Sequence, residues 1–285
     1  MIIKHYAAGK GEDAEAWSSD RIQQIGALED RYFKGLKWSL FKKYVNRQDI
    51  FVEAGCGSGD HLRAVQDHIG ATCIGIDFAS ELLDELNTRF PDYRWEQGDV
   101  RQLSRFKDAS VDVMASFGVV EHIETGPYEA INEMKRVIKP GGMLIFSVPR
   151  NAPLAILGLI KHAIFREPFL FSNKKEIVRG DRSMVIVKKF DDERAGVYPF
   201  SQYAVTDRVV YSYFPNEHWT VVEKRCNGLI YPRLAESIKK LLGEVAYENI
   251  CVLEMPGTLR EKVWFRFLAW FYGGNRLLIL KRTTS

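Results

Sequence analysis

With 285 residues, 46% of them hydrophobic and 27% charged, the chain has enough apolar surface for a sizeable core, which excludes a disordered or fibrous protein. A formal net charge of +3 is small for that length and argues against a nucleic-acid partner held by bulk electrostatics. Cys56, Cys73, Cys226 and Cys251 lack paired metal-ligand spacing, so no metal site is expected, and with no signal peptide visible after Met1 a cytoplasmic protein is expected.

From about Ser18 to Val45, Ile22, Ile25, Leu28, Tyr32, Phe33, Leu36, Leu40 and Phe41 recur every three or four residues, which predicts two helices. The aromatics Trp17, Tyr32, Phe33 and Trp38 suit packing first and a lid over a ligand second, so residues 1–48 form a candidate N-terminal helical lid. Ile50, Phe51 and Val52 then read as a short buried strand that stops at Gly55, Gly57 and Gly59, a turn in which side chains would obstruct a ligand lying on the backbone. From His61 to Ile69, Leu62, Val65 and Ile69 share one helical face. Strand, glycine turn and helix make the first half of a nucleotide-binding unit.

A second strand, Thr72 to Ile76, ends in Asp77, about twenty residues after the glycine turn. A carboxylate at that tip accepts hydrogen bonds from both hydroxyls of an adenosine ribose; the competing reading is a cap for the helix that carries Leu82, Leu83, Leu86 and Phe90, and the interval favours the ribose. Pro91 ends that helix. Tyr93 to Glu96 reads as a third strand, with Asp99 beyond its tip as either an acceptor for an adenine amino group or a turn residue beside Gly98. Val111 to Ser116 reads as a fourth strand, and Phe117-Gly-Val-Val-Glu-His-Ile123 follows it. A helix from Pro127 shows Ile131, Met134, Val137 and Ile138 on one face, Lys139-Pro-Gly-Gly142 stops it, and Met143 to Val148 makes a fifth strand. Strand tips bearing glycine or acid, alternating with amphipathic helices, predict a parallel sheet with ligands at the carboxyl ends of its strands.

Five ordered motifs carry a resemblance: Phe51-Val-Glu-Ala-Gly-Cys-Gly-Ser-Gly59, Asp77, Gly98-Asp-Val100, Val119-Val-Glu-His-Ile123 and Val137-Ile-Lys-Pro-Gly-Gly142. Over roughly Asp49 to Pro149 the chain resembles the class I S-adenosylmethionine-dependent methyltransferases, particularly the broad small-molecule group. That resemblance implies an α/β, Rossmann-like, seven-stranded and mostly parallel sheet with helices on both faces, and the cofactor S-adenosyl-L-methionine. It places Glu53, Gly55, Cys56, Gly57 and Gly59 around the methionine part of the cofactor, Asp77 at the ribose, Asp99 and Val100 at the adenine, and Phe117 as a wall beyond the fourth strand, with Phe78 also among the cofactor-binding residues. Glu53 departs from the commoner aspartate of that position. Asp60 stands where a dinucleotide fingerprint would want another glycine, which counts against a dehydrogenase. The implied reaction is attack by a nucleophile on the sulfonium methyl, in which alignment supplies most of the acceleration. His122 is the candidate base, with a structural histidine as its other reading, and Glu121 is similarly placed. No Asn-Pro-Pro-Tyr or Asp-Pro-Pro-Tyr follows the fourth strand, as it would in enzymes resembling the nucleic-acid amino methylases. The five motifs and the aromatics beyond Pro149 imply a methyltransferase with a small, partly apolar acceptor; a noncatalytic S-adenosylmethionine-binding protein of the same fold and a methyltransferase with a protein or RNA acceptor are the alternatives.

Beyond Pro149 the apolar run Pro153 to Ile160 is too short to cross a bilayer and reads as a helix on the lip of the site. A charged stretch from Ser172 to Gly196 and the aromatics of Tyr198-Pro-Phe-Ser-Gln-Tyr203 and Val209-Val-Tyr-Ser-Tyr-Phe214 follow. Residues 150–213 are therefore expected to be an insertion between strands 5 and 6 that covers the substrate pocket. In 214–285 Trp219 to Lys224 reads as the sixth strand and Asn275 to Lys281 as the seventh, which the resemblance makes antiparallel and sets next to the fifth or sixth. Between them a helix opens at Pro232 and closes at Gly243, and another opens at the capping box Thr258-Leu-Arg-Glu261 and closes at Gly273 and Gly274. The apolar excess of 258–272 suits burial first; a dimer face or a peripheral membrane contact using Lys262 and Arg266 is the second reading.

Overall fold

The computed structural model describes residues 21–123, 127–149, 175–179, 184–188, 207–229 and 273–284. The elements that build the site run in the order α1 (Asp30–Phe33), α2 (Leu36–Tyr44), β1 (Ile50–Ala54), α3 (Asp60–His68), β2 (Thr72–Asp77), α4 (Ser80–Arg89), β3 (Trp95–Gln97) and β4 (Val111–Phe117). After a short 3-10 turn (Val120–His122) come α5 (Tyr128–Val137), β5 (Ile138–Pro149), the hairpin strands β6 (Lys175–Arg179) and β7 (Met184–Lys188), α6 (Asp207–Ser212), β8 (Trp219–Leu229) and β9 (Gly273–Arg282).

Seven strands form one sheet in the order β3-β2-β1-β4-β5-β9-β8. The pairs from β3 through β5 are parallel, while β9 runs antiparallel between β5 and β8. The expected mostly parallel sheet with a reversed last strand is the observed one, and that strand, expected next to the fifth or the sixth, pairs with both. Chain order reverses between β1 and β4, and the two connections leaving these strands on opposite sides open a crevice at their carboxyl ends.

Period-two alternation distributes the strand residues between two cores. Val52, Ala54, Met114, Leu144, Phe146, Leu278 and Leu280 face α5 and α6, against Ile131, Met134, Val137 and Val210. Phe51, Val113, Ala115, Ile145, Leu277 and Ile279 face α2, α3 and α4, against Phe41, Leu62, Val65, Leu82 and Leu86. Val111 and Val113 fall on opposite faces, at the place where the register with β5 shifts. Phe41 and Phe51 are both fully buried with ring centroids 5.5 Å apart, and this edge contact sets α2 across the sheet. Removing either ring would cost about 3–5 kcal/mol, the usual range for a buried phenylalanine cut to alanine.

Several boundaries differ from the sequence reading. Lys139-Pro-Gly-Gly142 ends α5 as expected, but pairing begins at once: Ile138 already pairs with Val111, so the strand starts five residues before Met143. Gly142 passes so close to its neighbours that a Cβ would lie 2.8 Å from the Asp112 carbonyl oxygen, and Lys139 Nζ binds both Asp112 carboxylate oxygens at 2.8 Å. Gly273 and Gly274, expected to close a helix, begin β9 instead, where Gly273 pairs with Leu229. Of the expected 150–213 insertion, β6 and β7 form a two-stranded antiparallel hairpin, and α6 contributes Val210 to the main core. The remainder of that segment, the helices expected in 230–272 with their proposed dimer or membrane face, and Trp17 lie outside the described residues. Among the described residues no helix is long and apolar enough to cross a membrane, and no cluster of histidine, cysteine and acid side chains is arranged to hold a metal.

Candidate active site

The crevice at the carboxyl ends of β1, β2 and β4 is a cleft lined by the glycine turn, the tips of the second and third strands, the segment after β4 and part of the N-terminal region. Glu53, Gly55, Cys56, Gly57, Asp77, Phe78, Asp99, Val100, Phe117 and His122 all line it. Of the residues singled out in the sequence, Gly59 and Glu121 do not.

The glycine turn is held by the next strand. Gly55 N–H and Cys56 N–H both donate to the Ile76 carbonyl, at 2.8 and 2.9 Å, and Gly57 N–H donates to Asp77 Oδ2 at 3.0 Å. The three glycines have separate reasons to be glycine. A Cβ at Gly55 would lie 2.3 Å from Val119 Cγ2, and one at Gly59 would lie 2.4 Å from Trp95 Cη2. Only at Gly57 would a Cβ enter open space, with Arg21 Cδ its nearest neighbour at 3.9 Å. Gly57 is thus the position where bare backbone faces the cleft, while Gly59, in the left-handed region at φ 73°, lets α3 pack over Trp95.

Asp77 is 4% exposed, and Ala79 N–H donates to its Oδ1 at 3.2 Å. Burial raises its carboxyl above the ordinary range against the pull of these backbone N–H groups and of the Arg21 charge. A carboxylate has about four lone-pair positions, so acceptor capacity remains toward the cleft. Glu53, 3% exposed, accepts from Leu62 N–H at 3.2 Å. Burial, helped by the negative charges of Asp60 and Asp77 and opposed by Lys37, pushes it up to about 8. Cys56 is buried between these acids and its thiol is driven well above the ordinary value, chiefly by burial, which makes it an inert wall.

Asp99 is committed to Arg101. Arg101 N–H donates to Oδ1 at 2.8 Å, and the guanidinium meets both oxygens, with Nε–Oδ2 at 2.9 Å and Nη2–Oδ2 at 2.5 Å. Burial raises the Asp99 carboxyl, but the Arg101 bonds outweigh it and leave it below the ordinary range. The turn-residue reading therefore has direct geometric support, and any ligand donor would compete with Arg101. Glu121 is 4% exposed and turns to the other side of its loop, into a small space with Ile131, Phe146, Val148 and Val210, whereas His122, next in sequence, lines the cleft.

Sequence reasoning missed Arg21, Lys37 and His61. His61 sits in the first turn of α3, directly after the glycine turn, and that adjacency was the available signal. Its Nδ1 is 2.8 Å from Tyr32 Oη and its Nε2 is 3.0 Å from Lys37 Nζ. An ammonium only donates, so Nε2 accepts and the ring proton is on Nδ1. Burial and the Lys37 charge hold the imidazole well below its ordinary pKa, hence neutral. Tyr32, Phe33 and Trp38 pack in one cluster with ring centroids 5.4 to 6.3 Å apart, Phe33 edge-on to the other two, the packing role expected first for these aromatics, while Arg21 and Lys37 from the same region reach the cleft. The segment is tied down: Arg63 Nη2 donates to the Gly26 carbonyl at 2.8 Å and Arg89 Nη1 to that of Ile25 at 3.1 Å. At the far end of α2, Lys43 Nζ and Tyr44 Oη donate to Glu223 Oε2 at 2.8 and 2.7 Å.

Residues 52–146 match the family model described as a methyltransferase domain. Over 129 residues the chain is 29% identical to a Mycolicibacterium smegmatis protein named as a probable S-adenosylmethionine-dependent methyltransferase, which covers 44% of this chain and 49% of the relative. It is 30% identical over 115 residues to a ubiquinone biosynthesis O-methyltransferase of Paracidovorax citrulli, covering 38% of this chain and 48% of that one. The chain thus spans about half the length of these curated relatives. Among solved structures, a complex of the Haloferax volcanii Trm112 methyltransferase activator with a methyltransferase matches with a TM-score of 0.55 at 18% identity, over 97% of this chain and 100% of that one, a likeness of fold.

Proposed function

We propose that this chain, whose residues 52–146 match the family model of a methyltransferase domain, is a class I S-adenosylmethionine-dependent methyltransferase that binds S-adenosylmethionine in the cleft and passes its methyl group to a small, partly apolar acceptor. The observation that carries the reading is the joint geometry of Gly57 and Asp77: open backbone beside a buried carboxylate that the same backbone orients. The residues fit the cofactor. Asp77 retains acceptor capacity for the two ribose hydroxyls, Phe78 and Val100 offer apolar surface to the adenine, and Phe117 and Gly118 line the cleft at the end of β4.

When bound, the cofactor supplies an electrophilic methyl on a sulfonium. The protein's contribution is to hold the adenosine at Asp77 and Val100, to exclude water with Phe78, Phe117 and Ile123, and to fix the line of approach of the acceptor. His122, on the cleft wall after β4, takes the acceptor proton where the acceptor needs to lose one. Residues 150–213 are the proposed source of acceptor selectivity. The test is production of S-adenosylhomocysteine from S-adenosylmethionine, with pools of small apolar phenols, acids and amines as acceptors. Acceptor-dependent product supports the reading; cofactor binding with no product from any pool, and product only with protein or RNA, contradict the acceptor class.

A further inference from the structure

Among the described residues, two cations line the cleft, one acting on each of its buried acids. Arg21 lies over Gly57, and its charge acts on Asp77. Lys37 stands on the side of Glu53, the acid on which its charge acts. Its ammonium is 3.0 Å from His61 Nε2 and 4.3 Å from the centroid of the Phe117 ring. Three elements therefore fix it at the cleft wall: α2 carries it, the first turn of α3 offers it an acceptor, and the end of β4 gives it an aromatic face. The helix itself is anchored through Phe41 on Phe51 and through Lys43 and Tyr44 on Glu223, so the base of the side chain is held as well as its tip.

An α-amino acid end presents an ammonium and a carboxylate on one carbon, and the matching site needs an acid and a cation at the same end of the cleft. Glu53 and Lys37 are such a pair, whereas Arg21 is drawn to Asp77 and donates to Gln24 Oε1 at 3.1 Å. We infer that Lys37 receives the α-carboxylate of the cofactor's methionine end, with Glu53 across from it for the α-ammonium and His61 as the positioning residue that aims the lysine. This rests on the cofactor assignment of the preceding subsection. The neutral His61 ring is what permits the arrangement, because a protonated Nε2 would repel the ammonium it now accepts from.

The test compares two ligands that share adenosine and sulfur. S-adenosylhomocysteine carries the amino acid end and methylthioadenosine lacks it. Dissociation constants for both are measured by calorimetry on the wild-type protein, Lys37→Met, Lys37→Arg and His61→Ala. Lys37→Met should weaken S-adenosylhomocysteine about tenfold or more, in the range of a lost charge-assisted hydrogen bond, and change methylthioadenosine less than about twofold. Lys37→Arg should recover most of the loss, and His61→Ala should reproduce part of it with the same selectivity. Equal weakening of both ligands in Lys37→Met, or none in either, overturns the inference while leaving the cofactor assignment standing. A folded wild-type protein that binds neither ligand overturns both.

Discussion

The Gly57 N–H donates to Asp77 Oδ2 at 3.0 Å, which makes the glycine turn and the tip of the second strand one hydrogen-bonded unit. Ligand contact and loop shape are therefore coupled at a single carboxylate. Asp77→Ala should weaken S-adenosylhomocysteine binding by about 1–3 kcal/mol, because it removes charge-assisted acceptors and frees the turn. Calorimetry checks this, and unchanged affinity contradicts the ribose role.

Glu53 gives the ligand-free protein a pH dependence of known sign. Its carboxyl titrates near 8 in the folded state, above its ordinary value of 4.5, so between these limits the folded form binds the extra proton. Stability from this group is complete below its unfolded value and declines as pH rises toward 8, with a slope on the order of 1 kcal/mol per pH unit. Asp77, also raised, has the same sign, while Lys37 opposes the rise at Glu53. Melting temperatures from pH 5 to 9 should therefore fall less steeply in Glu53→Gln than in the wild type. Parallel curves would contradict the assignment.

His122 faces the cleft while Glu121, beside it, does not. His122→Ala should lower the methyl-transfer rate about a hundredfold for an acceptor that must lose a proton, with little change in cofactor affinity. Single-turnover rates and calorimetry on the same preparation separate the two. A loss confined to affinity would make the histidine a binding residue.

Gly59 should be a stability position with no direct part in binding. A Cβ there would lie 2.4 Å from Trp95 Cη2 on a backbone at φ 73°, so Gly59→Ala should cost about 2 kcal/mol or more. Chemical denaturation measures the loss, and Gly59→Ala/Trp95→Leu should recover part of it. An unchanged midpoint would mean that the turn relaxes freely.

These positions also show what the sequence could and could not disclose. Period-two and period-3.6 patterns located β1 to β4 and α3 to α5 closely, because burial on one face selects residue type directly. The interval from the glycine turn set Asp77 at the end of β2, where it lines the cleft, since strand and helix lengths fix that position. Local reading failed where the partner is distant: Trp95 explains Gly59 from across the sheet. At Asp99 two readings stood open, and Arg101, two residues on, claims the carboxylate as the turn reading has it. Lys37 carried no signal of its own in the sequence; its ammonium is set at the cleft by His61 and Phe117, which lie on elements far from it in the chain. Gly273 and Gly274 resembled a helix end because glycine closes helices more often than it opens strands.

The most direct test of the central claim is a calorimetric titration of the folded protein with S-adenosylhomocysteine, run beside a nicotinamide dinucleotide. Saturable binding of the sulfur nucleoside at one site per chain, with no heat from the dinucleotide, is the predicted result. Absence of binding in protein shown to be folded, or preference for the dinucleotide, would contradict the assignment of the cleft.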